Sequence, residues 1–336
     1  MGANGGRRDD GAELRLRRAT DEDRPGIIKL CRASLGWEEG DPNEAFFAWK
    51  HDENAFGPSP SWVAEAPDGS LAGLRVFLRW RFRDASGRTL QAVRAVDTAT
   101  HPDWQGRGIF TKLTLGALPD LEADGVDLVF NTPNDKSRPG YLKMGWSEVG
   151  KVPVGVRLGG LGSMRSVVRA RTAAEMWSEP AAVGEAAVDV LADTAAVQRL
   201  LDSCAPDPHI RTDRSPAYLQ WRYRFDPLRY RAVLVGSRVE DGLVILRLRR
   251  RGPALECAVC EVLVPGRRSA RRTMSHIAKD SRADYLLRCS TVTAGLRDVF
   301  VPAPQLGPIL TWRPLSRPSV PRMAELSLTL GDVELF

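Results

Sequence analysis

The chain is poor in cysteine, histidine and tyrosine, with five, four and five of them among 336 residues. Five cysteines, an odd number scattered along a long chain, argue against a disulfide framework and for a reducing, cytoplasmic setting. Cys257 and Cys260 have the spacing of a metal knuckle, yet they lie in a strand-like run where positions three apart face opposite sides of a sheet. No second ligand pair is near them in sequence, so no metal is expected. Long apolar runs are also missing, and none reaches the roughly eighteen residues of a membrane span. Residues 1–12 are polar and glycine-rich, without the apolar stretch of a signal peptide or an anchor, and are expected to form a disordered tail. The formal charge of +6 suits an anionic ligand. Basic and acidic residues are interleaved, however, and no basic block carries aromatics, so neither nucleic acid nor membrane is an expected partner. The arginine-dense stretches 247–251 and 267–272 read as solvated surface.

Hydrophobic residues make up 43% of the chain, and the length favours two domains. The first half reads as a strand at 13–19, a capped helix to Leu35 and a helix over 42–52. A strand meander follows at 62–66, 71–83 and 89–100. A helix over 109–123 comes next, with Pro119 an expected kink or stop. A strand at 126–130, a helix over 137–144 and a strand over 149–158 complete it. The second half repeats the order. It opens at 188–191 and continues with helices over 194–203 and 216–225. Strands follow at 230–235, 243–249 and 255–264, then a helix over 269–281 and strands at 285–289 and 324–330. Two local matches support the repeat. Ala48-Trp-Lys-His51 resembles Gln220-Trp-Arg-Tyr223, and Ala92 to Val96 before Pro102 resembles Cys257 to Glu261 before Pro265. A period of about 165–170 residues is too long for a solenoid and indicates two copies of one domain. The expected organisation is a tail at 1–12, a first domain at 13–160, a linker at 161–186 and a second domain at 187–336.

The stretch Thr100-His-Pro-Asp-Trp-Gln-Gly-Arg-Gly-Ile-Phe110 joins the third meander strand to a helix. A strand, a glycine-punctuated turn and a helix N-terminus make an anion site, because consecutive amides point outward and the helix dipole favours negative charge. Gly106 and Gly108 allow close backbone approach, and Arg107 adds a cation. A phosphate or pyrophosphate is the expected guest. A dinucleotide fold would need three glycines directly after the first strand, and that pattern is absent. After Pro265 the second copy carries Gly266-Arg-Arg-Ser-Ala-Arg-Arg272, with no Gly-x-Gly, so only the first copy is equipped to cradle phosphates.

These residues resemble the GNAT superfamily of acyl-CoA-dependent N-acetyltransferases. The phosphate signature corresponds to Gln105-Gly-Arg-Gly-Ile-Phe110, with Phe110 where a small residue is usual. Leu14 to Asp23 resembles the family's first strand and helix, and Gly140-Tyr-Leu-Lys-Met-Gly-Trp146 its Tyr-x-x-x-Gly-aromatic element. The resemblance covers about 13–158 by motif and 187–336 by pattern, and the tandem looks like bacterial two-copy members. It implies an α/β (α+β) fold of two GNAT-like domains, each a mixed, mostly antiparallel twisted sheet flanked by helices. It further implies acetyl-CoA as cosubstrate. The amides of Gln105, Gly106, Arg107, Gly108, Ile109 and Phe110 would hold the pyrophosphate. Thr98, Ala99 and Thr100 would align the pantetheine arm, and Asn131 and Ser137 would contact its far end. Tyr141 would protonate the departing thiolate while a primary amine attacks the thioester directly.

Each role has a structural counterpart. Tyr141 also suits packing under a short helix, Ser137 a helix N-cap and Asn131 a loop cap. The family's usual glutamate position is Arg94 here. Asp97, the only carboxylate on that strand, is the candidate general base, although its parity aims it at the opposite face unless a bulge intervenes; a water relay to a residue from elsewhere is the alternative. His101 fits a capping role. The expected function is N-acyl transfer, most simply acetyl, to a small-molecule amine. The alternatives are a longer acyl donor or a non-catalytic acyl-CoA-binding sensor or assembly module. A homodimer stays open.

Overall fold

The computed structural model describes residues 13–160, 172–266, 268–289, 296–316 and 319–334; the expected tail and positions 161–171 of the expected linker lie outside them. In the first half the strands are β1 (Arg15–Arg18), β2 (Ser61–Glu65), β3 (Leu71–Arg83), β4 (Thr89–Thr100), β5 (Leu128–Asn131), β6 (Ser147–Lys151) and β7 (Val154–Leu158). The helices there are α1 (Arg24–Leu35), α2 (Asn43–Phe47) running into a π turn at Ala48–Asp52, α3 (Ile109–Ala123) and α4 (Arg138–Lys143). The second half contributes β8 (Glu185–Ala186), β9 (Ile210–Thr212), β10 (Arg231–Leu234), β11 (Leu243–Arg251), β12 (Ala254–Leu263), β13 (Tyr285–Cys289), β14 (Val301–Pro302), β15 (Ile309–Pro314) and β16 (Leu326–Ser327). Its helices are α5 (Ala187–Val190), α6 (Thr194–Ser203), α7 (Pro216–Tyr223), α8 (Arg271–Asp280) and α9 (Leu330–Val333).

Two twisted sheets result. The first runs β1-β2-β3-β4-β5-β15-β6 and the second β14-β7-β13-β12-β11-β10-β8. Each path is antiparallel except at one central pair, β4 with β5 and β12 with β13. The last full strand of each half thus completes the other half's sheet. β15 lies between β5 and β6, and β7 lies between β13 and β14. The single strand expected over 149–158 is therefore two strands in two sheets. Pro153 has no N–H for a ladder, so pairing stops at Lys151 and restarts at Val154 in the second sheet.

Two other expectations are corrected. Pro119 does not stop α3, which continues to Ala123. Ile109, Leu113, Ala117, Leu118 and Leu121 are buried on the sheet, and that burial outweighs the lost hydrogen bond. Gly73 of β3 permits the contact, since a Cβ there would stand 2.4 Å from the Ile109 side chain. The strand expected at 324–330 is instead a 3-10 turn, the two-residue β16 and the helix α9. The reciprocal capping pair Thr329 and Asp332 starts that helix. Among the described residues no helix is long and apolar enough to cross a membrane.

The repeat meets itself about Trp49 and Trp221. Each indole Nε1 donates to the other residue's carbonyl, at 2.6 and 2.7 Å, and the rings stack with centroids 6.1 Å apart. Phe46, Phe56, Trp80, Tyr218 and Phe225 surround them in one core shared by both halves. The arginine-rich run 247–251 is not uniformly surface. Arg247 and Arg249 are buried on Glu334, because alternate residues of β11 face the core. Cys257 and Cys260 face opposite sides, in different hydrophobic clusters.

With sheets that share strands, the chain is expected to unfold in one calorimetric transition rather than two. Trp221→Phe should lower the unfolding free energy by about 1–3 kcal/mol in urea titrations, because the Trp49 carbonyl loses its buried donor.

Candidate functional site

The parallel pairing of β4 with β5 ends at Arg94 and Phe130. Beyond it the strands diverge, and a cleft of about 700 Å³ opens, lined by Ala95, Val96, Asp97 and Thr98 on one side and by residues 131–134 on the other. The cause is a bulge. β4 loses register with β3 between Leu74 and Val76, so that Arg75 faces the two residues Asp97 and Thr98. Asp97 takes φ 42°, a left-handed conformation that Asp tolerates better than most residues.

The bulge turns Asp97 onto the face that Arg94 occupies, against the simple parity of a strand. There Asp97 meets the Lys50 ammonium at 2.8 Å and His51 Nε2 at 2.7 Å, all three buried. Burial alone would raise its pKa, but the Lys50 charge and the His51 hydrogen bond outweigh it and hold the carboxylate ionised far below the usual range. Burial likewise keeps His51 neutral, with its pKa lowered. A carboxylate so committed is a poor proton acceptor. Arg94, at the position expected of a glutamate, donates instead to the carbonyls of Asp332, Val333 and Glu334 at the end of α9. Burial and Arg222 lower its pKa to about 10, so it stays charged at neutral pH and complements those carbonyls.

The glycine turn closes one end of the site. His101 Nδ1 accepts from the Asp103 amide at 3.3 Å, the capping role expected of it. Gly106 and Gly108 take φ 78° and 72°, and α3 starts at Ile109. Among the described residues the amides of 106–110 donate to no backbone carbonyl, which leaves them available to an anion. The Arg107 guanidinium sits 4.7 Å over the Trp104 ring, and Gln105 is exposed. Such a cradle fits a pyrophosphate, with the cleft beside it for a narrow arm.

The remaining expected residues divide. Thr98 lines the cleft, whereas Ala99 and Thr100 pair with β3 further along. The Asn131 side chain lines the cleft and also accepts from the Thr311 hydroxyl of β15. Ser137 stands at the start of α4, but its hydroxyl donates to Asn134 rather than capping the helix. Tyr141 lines the cleft with its ring between Phe110 and Trp146, both 5.3 Å away in edge-to-face contact. Phe110 is accommodated because residue 140 is glycine; a Cβ there would lie 3.0 Å from the Phe110 ring.

Sequence reasoning missed Arg75, Trp37, Asn134 and Arg249, all of which touch or support the cleft. Arg75 had a signal: it is a lone charge inside the apolar run Leu71-Ala-Gly-Leu-Arg-Val-Phe-Leu78. Arg249 had none, since it comes from β11 of the other half. The matching divergence of β12 and β13, past Val259 and Arg288, opens a second cavity of about 520 Å³, lined by Glu261 to Val264, Arg288 and Asp298 among others. Asp298 there accepts from Arg288 at 2.6 Å and from the Ser269 hydroxyl at 3.0 Å.

A family model described as an acetyltransferase (GNAT) domain matches residues 15–149. No curated protein matches the sequence. Among solved structures, the chain is similar to a GCN5-related N-acetyltransferase from Anabaena variabilis, with 16% identity, 90% of this chain and 73% of that one covered, and TM-score 0.63. It is also similar to a protein described as a probable N-acyltransferase from Enterococcus faecalis, at 12% identity, coverages of 90% and 73%, and TM-score 0.62. Eis1 from Mycobacterium abscessus aligns at 14% identity, coverages of 90% and 74%, and TM-score 0.54. At such identities the likeness is one of fold.

Asp97→Asn should lower the unfolding free energy by about 3–5 kcal/mol near neutral pH, because it leaves the Lys50 ammonium buried without its counter-charge. The folded pKa of Asp97 lies below its unfolded value, so its contribution is whole above about pH 5 and fades as acid protonates it. Urea titrations of both proteins from neutral to acidic pH should therefore show the gap narrowing on the acid side.

Proposed function

We propose that the chain, whose residues 15–149 match the acetyltransferase (GNAT) domain model, transfers an acyl group, most simply acetyl, from acyl-CoA to a small primary amine. The observation that carries the reading is the continuity of three parts. Unused amides at 106–110 lead to the edge of β4 that β5 no longer covers, and that edge leads to the buried Tyr141 hydroxyl. Residues 106–110 would hold the pyrophosphate. The open edge of Ala95 to Thr98 would bond the pantetheine amides as a further strand would. A thioester delivered along that edge supplies the activated carbonyl. The neutral amine attacks it, Tyr141 protonates the departing sulfur, and the amine proton leaves to water in the open cleft. The acceptor would enter over Trp37, Glu175, Met176 and Arg249, which also line the cleft.

A binding module without turnover is the second reading. It is favoured by one observation: the sole carboxylate on β4 is committed to Lys50 and His51. CoA binding by calorimetry and thiol release from a panel of acyl-CoAs and amines separate the two. Binding with release supports the enzyme, binding without release selects the module, and absence of binding removes both. Within the first reading, Tyr141→Phe should lower kcat by about 10²-fold or more while leaving CoA affinity nearly unchanged. Gly108→Val should weaken CoA binding instead, because φ 72° is strained for a β-branched residue.

A further inference from the structure

Arg75 is an anomaly of charge. It is 0% exposed, in the middle of an apolar strand, and among the described residues no carboxylate pairs with it. Its Nη2 donates to the Tyr141 hydroxyl at 2.8 Å, its Nη1 donates to the Thr98 hydroxyl, and its Nε has no partner. Otherwise it faces aromatic rings, those of Phe77 at 4.9 Å, Tyr141 at 5.3 Å and Phe110 at 5.7 Å. Lys50 and Arg249, also deeply buried, sit on the carboxylates of Asp97 and Glu334, and Arg94 sits on the carbonyls that end α9. A buried cation held only by neutral oxygens and ring faces is costly, unless negative charge develops beside it.

We propose that Arg75 is a positioning residue for Tyr141 in acyl transfer, an inference that rests on the acyltransferase reading above. Guanidinium is a donor only, whereas a phenol has one hydrogen to give and lone pairs to accept with. The Tyr141 oxygen must therefore accept from Arg75, and its own hydrogen is left to point elsewhere, into the cleft that Tyr141 lines. When the C–N bond forms and the C–S bond breaks, the O–H bond of Tyr141 breaks and an S–H bond forms on the departing CoA. The charge left on the phenol oxygen then sits next to a fixed, buried guanidinium, an arrangement that needs no reorganisation as the charge appears. Water takes the amine proton and returns one to the phenol, so one proton passes overall from amine to sulfur. The second hydrogen bond ties the same guanidinium to Thr98, so the open edge of β4 and the proton donor move as one unit.

The test is a double-mutant cycle on the full chain, with kcat and KM for acyl-CoA from thiol release and CoA affinity from calorimetry. Arg75→Met should lower kcat by about 10²-fold, in line with the loss of one preorganised donor, with KM and CoA affinity little changed. Arg75→Lys, which keeps the charge without both bonds, should recover part of the rate. In the Tyr141→Phe background Arg75→Met should cost under about twofold, because the two residues act through one proton. Equal losses in both backgrounds, or an unchanged kcat in Arg75→Met, would overturn the proposal while leaving acyl transfer standing. Should Arg75→Met fail to fold, Arg75→Lys in both backgrounds reads the same cycle. A wild-type protein that binds CoA but releases no thiol would overturn the acyltransferase reading, and this inference with it.

Discussion

Strand exchange between the two halves is the constraint on which the rest of the structure depends. A sheet cannot leave a gap, because each unpaired backbone N–H and C=O in its interior is left without the water it had when unfolded. With β7 drawn into the second sheet, β5 and β6 are separated by a strand's width, and β15 fills it from more than 150 residues further on. β7 does the same between β13 and β14. Neither half is thus a closed folding unit. The Trp49 and Trp221 pair lies at the centre of the same joint and completes the backbone hydrogen bonding of each helix with the side chain of the other.

This joint also sets the electrostatics around the first cleft. α9 docks between the halves, and its buried carbonyls are met by Arg94 of β4 and Arg222 of α7. The buried carboxylates Glu334 and Glu256 are held ionised by Arg247, Arg249 and Arg251, and Asp332 pairs with Arg214, so that charge is balanced across segments distant in sequence. A polar network of that kind is stable only when every member is satisfied, and its geometry fixes the relative placement of the elements that carry it. Beside it, the bulge of β4 resolves the opposite problem. It distributes two consecutive residues to two faces, Asp97 towards Lys50 and His51 and Thr98 towards Arg75 and Tyr141.

The two copies share this plan but not its chemistry. His51 on Asp97 is echoed by Tyr223 on Glu261, one buried donor on one buried carboxylate. Where the first pair of parallel strands opens onto unused amides, the second opens onto the Arg288, Asp298 and Ser269 bridge. Each opening holds a cavity, but only the first lies beside free amides at a helix start, and the second copy adds Arg249 to that cavity's wall.

Much of this was legible in the residues themselves. Hydrophobic alternation located β3, β4 and α3 to the residue, since local periodicity and glycine punctuation act over a few positions. The glycine turn, its helix and Tyr141 were readable for the same reason, as was the lack of a Gly-x-Gly after Pro265. The strand exchange was not, because β15 is short, ends in proline and pairs only with strands remote in sequence. The commitment of Asp97 was hidden too: a bulge reverses strand parity, and nothing within a few residues of Asp97 announces Lys50 or His51 as its partners. Arg75 stood in plain view as a charge in an apolar strand, but only packing shows that it lies under the Tyr141 hydroxyl. Local pattern by itself determined the elements and the glycine turn; long-range pairing, whose cost and reward depend on residues brought together only by folding, decided which strands complete each sheet and which charges reach the cleft.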